Sequence, residues 1–219
     1  MNGGPNMVPS SIQSALDRIG SEPDPSVRAL LLASLVTATF LEHGIELVVV
    51  GGSAIELLTE GAYTSGDIDL CLLNRTSVGL RERQEIFGRL HAVGGPRNWK
   101  VAGLHVDLLG PVESVAKTPF RVLDGPYGPI RLMQPEELLV ERILVSEYPG
   151  PHPPARDCAR KLAAVALNGG MEMDWTEVAR IAALPEYRSE ESTRKLLEDV
   201  RRELGTHSTP DPNGPADLV

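Results

Sequence analysis

Two short apolar runs with a glycine turn between them constrain this chain more than any other feature. Ile45-Glu46-Leu47-Val48-Val49-Val50 is rich in β-branched side chains and stops at Gly51-Gly52-Ser53. Such residues favour extended backbone, and an apolar run of this length ahead of glycines predicts a buried strand. The second run spans Asp67 to Leu73. Strand side chains alternate between faces, so Asp67 and Asp69 share one side while Ile68 and Leu70 share the other. Between the runs, Ala54 to about Glu60 predicts a short helix with Ser53 at its cap. Two strands joined by a helix in so short a span imply helices packed on a sheet, an α/β (α+β) class.

The rest of the chain agrees with that class. Leu32, Leu35, Val36 and Phe40 recur at helical spacing from Ser26 to about His43, and Gly44 closes the helix. A helix is expected at 79–90, paired strands at Trp99–Val101 and Leu104–Leu109 around Ala102-Gly103, and short strands at 120–124 and 128–133. Beyond Gln134-Pro135 the pattern turns helical, at about 135–147, 155–168, 174–183 and 189–204, broken by the Pro-rich stretch 149–154. The expected organisation is a mixed-sheet core over 10–133 and a helical domain over 134–204. The Gly- and Pro-rich ends, 1–9 and 205–219, bury too little apolar area to order.

Aromatic residues make up 4% of the 219, so Leu, Val, Ile and Ala must fill the interior. A net charge of −9 argues against a protein that coats nucleic acid with a broad basic surface. The stretch 91–133 is net positive, with five Lys and Arg against three Asp and Glu. Cys71 and Cys158 fit no zinc or CxxC spacing and are expected to be buried, reduced thiols, and no apolar run reaches the roughly 20 residues of a membrane span. A cytoplasmic location is the expectation, with no membrane partner.

The chemistry concentrates in the acids. Two carboxylates on one strand face repel each other unless a cation lies between them, and hard oxygen ligands suit Mg²⁺ or Mn²⁺. Asp107 stands in His105-Val106-Asp107-Leu108-Leu109, facing away from the core side of Val106 and Leu108. If the two strands are neighbours, three carboxylates converge. Gly51-Gly52-Ser53 lets backbone approach phosphate closely, yet lacks the Lys-Ser/Thr ending of a P-loop. Glu56 is read as a surface residue of the helix's first turn, His105 as a polar residue at the sheet rim, His43 as a partner of its helix C-terminus and His152 as solvent-facing.

In this order the residues resemble the nucleotidyltransferase superfamily, which includes polymerase-β-like and minimal nucleotidyltransferases. The resemblance rests on Val48-Val49-Val50-Gly51-Gly52-Ser53, then Asp67-Ile68-Asp69-Leu70 with Asp67 placed 14 positions after Ser53, then Val106-Asp107-Leu108. It covers roughly residues 28–133. It implies that Asp67, Asp69 and Asp107 are metal ligands, with Asp107 third ligand or general base, and that Gly51, Gly52 and Ser53 bind the phosphates of an NTP such as ATP. It also implies transfer of an NMP to an acceptor hydroxyl on tRNA, protein or a small molecule, an antibiotic included. Many relatives carry Arg or Lys just before the acid pair, whereas Tyr63-Thr64-Ser65-Gly66 stands here. Thr64 and Ser65 are then hydroxyl donors to phosphate, and Lys161, Arg142 and Arg156 are candidates for the missing charge. The same departure fits a fold that binds nucleotide or a partner without turnover. Pro135-Glu136-Glu137-Leu138 and Arg156-Asp157 resemble the helical half of type IV toxin–antitoxin nucleotidyltransferases, which implies a toxin with a cognate antitoxin.

Overall fold

A computed structural model of the chain describes residues 12–117 and 120–205. It divides into two compact units. The first comprises residues up to Leu57, Thr64–Glu113 and Phe120–Met133, and the second comprises Leu58–Tyr63, the stretch from Ser114 and the residues from Gln134 onward. The ends expected to be disordered lie outside the described residues, apart from Gly205, whose N–H reaches Arg202 O.

The first unit holds one mixed sheet of seven strands in the order β3-β4-β5-β2-β1-β7-β6. These are β1 (Leu47–Val49), β2 (Asp67–Leu72), β3 (Val93–Gly94), β4 (Asn98–Val101), β5 (Leu104–Pro111), β6 (Arg121–Gly125) and β7 (Gly128–Leu132). β2 lies between β1, antiparallel to it, and β5, parallel to it. β4 and β5 form the hairpin expected at Ala102-Gly103, where both residues have positive φ, 46° and 86°, as a tight two-residue hairpin turn demands. Helices α1 (Ile12–Ser21), α2 (Pro25–Glu42), α3 (Gly51–Leu58) and α4 (Leu80–Arg89) complete this part. Neither α1 nor β3 is apparent in the sequence. α1 is amphipathic but short, and β3 has two residues, too few to display a period.

Alternation on β2 is complete: Ile68, Leu70 and Leu72 are buried while Asp67, Asp69 and Cys71 are half-exposed. The buried side meets Val106 and Leu108 of β5 and Trp99 and Val101 of β4. Trp99 stacks on Phe87 of α4 at 4.5 Å, and Phe87 meets Phe40 of α2 edge-on at 5.3 Å. Three of the nine aromatics thus cluster where α2 and α4 cover the sheet, and each such pair adds about 0.5–1.5 kcal/mol beyond area burial. α2 is capped by Asp24, which accepts from Ser26 N–H and Val27 N–H, and it packs on β7, β1, β2 and β6. It is long and apolar enough to cross a membrane by length and composition; the apolar run expected to be absent is this helix, and Leu31, Leu32, Leu35, Val36 and Phe40 bury it in the core.

The second unit holds α5 (Pro135–Glu147), α6 (Pro153–Leu167), α7 (Trp175–Ala182) and α8 (Glu190–Glu203). Asp174 caps α7, and His152, exposed as expected, also caps α6 by accepting the Ala155 N–H on Nδ1 at 3.2 Å. Two buried glutamates hold the stretch from Ser114. Glu137 accepts from Ser114 Oγ, Val115 N–H and Tyr187 OH, while Glu177 accepts from Lys117 N–H and from Arg180, whose Nη2 also donates to Val115 O. Cys158 is a buried thiol, its pKa pushed up to about 11 by burial, whereas Cys71 is only half-buried.

Candidate functional site

The polar side of the sheet is arranged in two rows that run across the strands. Asp69 of β2 stands opposite Asp107 of β5, which stands opposite Asn98 of β4; two residues along, Asp67 stands opposite His105, which stands opposite Lys100. Opposed residues on neighbouring strands project to the same face. The backbone therefore brings Asp67, Asp69 and Asp107 to one patch.

Helix α3 fastens the other side of that patch at three points. Gly51 has φ +64°, and a Cβ there would stand 3.0 Å from Asp69 Oδ2, so the acid lies directly against the glycine. Ser53 donates its hydroxyl proton to Val50 O at 2.9 Å and accepts the Asp69 N–H at 3.0 Å. This corrects the expectation of an N-cap: α3 begins two residues earlier, at Gly51, and Ser53 lies within the helix, 2% exposed. Its single proton is already committed, so here it ties β1 to β2 and does not present a donor to phosphate. Gly52 is buried beside it.

The third point is Glu56, which is no surface residue. It is 2% exposed and accepts the Ser65 N–H at 2.8 Å, with the Gly66 N–H also bonded to it. Burial raises its carboxyl above the ordinary range, and the two N–H bonds pull the other way. Ser65 in turn donates its hydroxyl to Asp67 Oδ1 at 2.6 Å. Sequence reasoning missed Glu56 because helical period alone does not say which face a short helix buries. Its position three residues after Ser53, one turn along the same face, is the signal that points to it. Thr64 is exposed and lines a small pocket with Pro25, Ala29, Glu56, Gly66, Asp67, Ile68 and Leu104.

The side-chain conformations distribute the acids among separate partners. Asp67 takes Ser65, Asp69 lies on Gly51, and Asp107 accepts from Asn98 Nδ2. Among the described residues no group of three His, Cys, Asp or Glu side chains is drawn together as a metal centre. Shared face and register are present; the closed three-carboxylate cluster is not. His105 is exposed at the rim, as expected, with Nδ1 3.4 Å from Asn98 Oδ1. In the second unit, Lys161 pairs with Asp157 at 3.1 Å and lies 5.7 Å from the Tyr63 ring centroid, Arg142 pairs with Glu141, and Arg156 lies 3.8 Å from Asp199. All three cations thus have partners within their own unit.

No family model matches the sequence, and no curated protein matches it. Among solved structures, the chain is similar to an antigenic nucleotidyltransferase-like protein from Paracoccidioides brasiliensis, with a TM-score of 0.50 at 15% identity over 80% of this chain and 88% of that one. The fold is that of the nucleotidyltransferases. The antibiotic-resistance factor ANT(2'')-Ia, in its solution structure, aligns with a TM-score of 0.45 at 15% identity over 83% of this chain and 95% of that one. Within the nucleotidyltransferase fold of this chain, the acid pair and the third acid lie on adjacent parallel strands next to the glycine turn.

Proposed function

We propose that the chain transfers an NMP from an NTP to an acceptor hydroxyl, with Asp67, Asp69 and Asp107 as the acidic centre. The observation that supports this reading is the parallel register that sets Asp69 beside Asp107 while Gly51 abuts Asp69 on its other side. Like charges on directly opposed residues destabilise a strand pair, and a cation offsets that cost. The donors are carboxylate oxygens, which fit Mg²⁺ or Mn²⁺, and Asp67, Asp69 and Asp107 would hold it. When bound, the ion neutralises charge on the phosphates and on the developing transition state.

The chain's own residues supply the rest. Backbone at Gly51 and Gly52 receives the β- and γ-phosphates, and the exposed Thr64 offers a hydroxyl, while the Ser65 proton is held by Asp67 and orients that carboxylate. Asp107, on the strand farther from the turn, takes the proton of the acceptor hydroxyl. The acceptor oxygen forms a bond to the α-phosphorus as the bond to the bridging oxygen breaks, and pyrophosphate leaves with the electron pair.

The test is transfer of label from each α-³²P NTP to cell extract with Mg²⁺ or Mn²⁺, comparing the wild type with Asp69→Asn and Asp107→Asn. Each substitution is expected to lower transfer by about 100-fold or more without loss of fold. Equal labelling by all three proteins, or by none, sinks the proposal.

One observation favours a second reading, a fold that binds nucleotide or a partner without transfer: residues 63–66 carry no basic side chain and the Ser53 proton is engaged. That reading expects saturable nucleotide binding with no labelled product. As a toxin of a type IV pair the protein would arrest growth on expression, with relief by Asp69→Asn and by a cognate antitoxin. As an antibiotic-modifying enzyme it would raise drug tolerance instead.

A further inference from the structure

Lys100 lies in the net-positive stretch of this acidic chain, and the hairpin turns it onto the acid-bearing face. Across the strands its row reads Asp67, His105, Lys100, Val93. Neighbouring strands are about 4.8 Å apart, so the Lys100 backbone stands about 10 Å from that of Asp67, within reach of a flexible four-carbon stem. Lys100 is exposed, and its side chain makes no hydrogen bond or ion pair among the described residues. His105 is exposed, with Nδ1 3.4 Å from Asn98 Oδ1. Val93, at the end of the row, is 75% exposed. A lysine left unpaired on the face that carries three aspartates is available to an anion from outside.

Position says which anion. β1 and the glycine turn flank β2 on one side, and β5 and β4 flank it on the other. If the leaving pyrophosphate occupies the glycine turn, in-line attack brings the acceptor from the opposite side, over β5 and β4. We infer that the acceptor carries a phosphate near its reacting hydroxyl, and that Lys100, with His105 beside it, receives that phosphate. The inference rests on the transfer reading above and narrows its acceptor class. A polycationic acceptor would meet the ammonium with like charge, whereas a nucleotide terminus or a phosphorylated small molecule would be drawn to it, with its apolar or ring portion over Val93.

The test uses the full chain with Mg²⁺ and a non-hydrolysable ATP analogue. The probes are a 5′-fluorescein RNA oligonucleotide with a free 3′-hydroxyl, followed by anisotropy, and AMP as its competitor. The variants are Lys100→Gln, Lys100→Glu and Lys100→Arg. Lys100→Gln is expected to weaken oligonucleotide binding about tenfold and to reduce the logarithmic salt slope by about 0.7. Lys100→Glu should do more, and Lys100→Arg should restore most of the affinity. Competition by AMP at concentrations comparable to its own Kd assigns the site to small phosphorylated acceptors, and binding of the oligonucleotide alone assigns it to a nucleic-acid terminus. Affinity unchanged in Lys100→Gln, binding of neither probe, or a loss confined to the KM for NTP overturns the inference. Absence of transfer by the wild type with every NTP is a different result, and it removes the reading beneath.

Discussion

At the scale of single residues, the site depends on contacts that α3 makes with the strand of acids. Gly51 has a left-handed φ, and a Cβ there would press on Asp69 Oδ2 at 3.0 Å. Gly51→Ala is therefore expected to cost about 1–2 kcal/mol from backbone strain alone, read as a lower urea midpoint, and to lower transfer further by displacing the Asp69 carboxylate. Glu56 predicts a contrast between two variants. Glu56→Ala leaves the N–H groups of Ser65 and Gly66 without their acceptor, a cost of about 0.5–1.5 kcal/mol for each hydrogen bond lost. Glu56→Gln keeps an accepting oxygen and should retain most of the stability. Equal urea midpoints for wild type and Glu56→Ala would show that the buried carboxylate does not hold the loop.

At the scale of elements, the stretch from Ser114 to Lys117 is held by side chains rather than by strand pairing. Glu177 has its carboxyl lowered to about 2, first by Arg180 and then, against the cost of burial, by the Lys117 N–H. A carboxylate whose folded pKa lies below its unfolded value near 4.3 contributes stability that is complete above that value. The contribution is lost as pH falls through the window from about 4.3 to about 2. Wild type should therefore exceed Glu177→Gln in unfolding midpoint at pH 7, and the gap should close across that acid window. A gap constant down to pH 2 would show that ionisation of Glu177 plays no part. The acid strands obey a different logic. β2 and β5 are fixed by their apolar faces, Ile68 and Leu70 against Val106 and Leu108, so the outward acids can be replaced with Asn at little cost in stability while the transfer they support is lost.

At the scale of the molecule, neither unit is one continuous piece of chain. The second takes Leu58–Tyr63 and the stretch from Ser114 in addition to the helices after Gln134. Glu137 and Glu177 are buried on those helices, and Ser114, Val115 and Lys117 supply many of their partners. A fragment of residues 134–219 lacks those partners, leaving buried carboxylates short of hydrogen bonds, a costly state. Its urea midpoint, followed by circular dichroism, is expected to fall well below that of the same helices in the whole chain. Adding back a peptide of residues 112–120 should raise it.

Local periodicity was enough to determine much of this protein. Alternation at Asp67–Leu73, β-branched density at Leu47–Val49, the hairpin at Ala102-Gly103 and the helix over Pro135–Glu147 are all short-range patterns, and the order of glycines and acids already implied the nucleotidyltransferase fold. Only the tertiary structure decided what depends on neighbours distant in sequence. It paired β2 with β5 in the register that aligns Asp69 with Asp107, buried Glu56, and committed Ser53 to Val50 and Asp69. It also set Lys100 in line with His105 and Asp67. Period tells which residues share a face of one element, but strand order and register, set by how the apolar faces pack together, decide which faces meet.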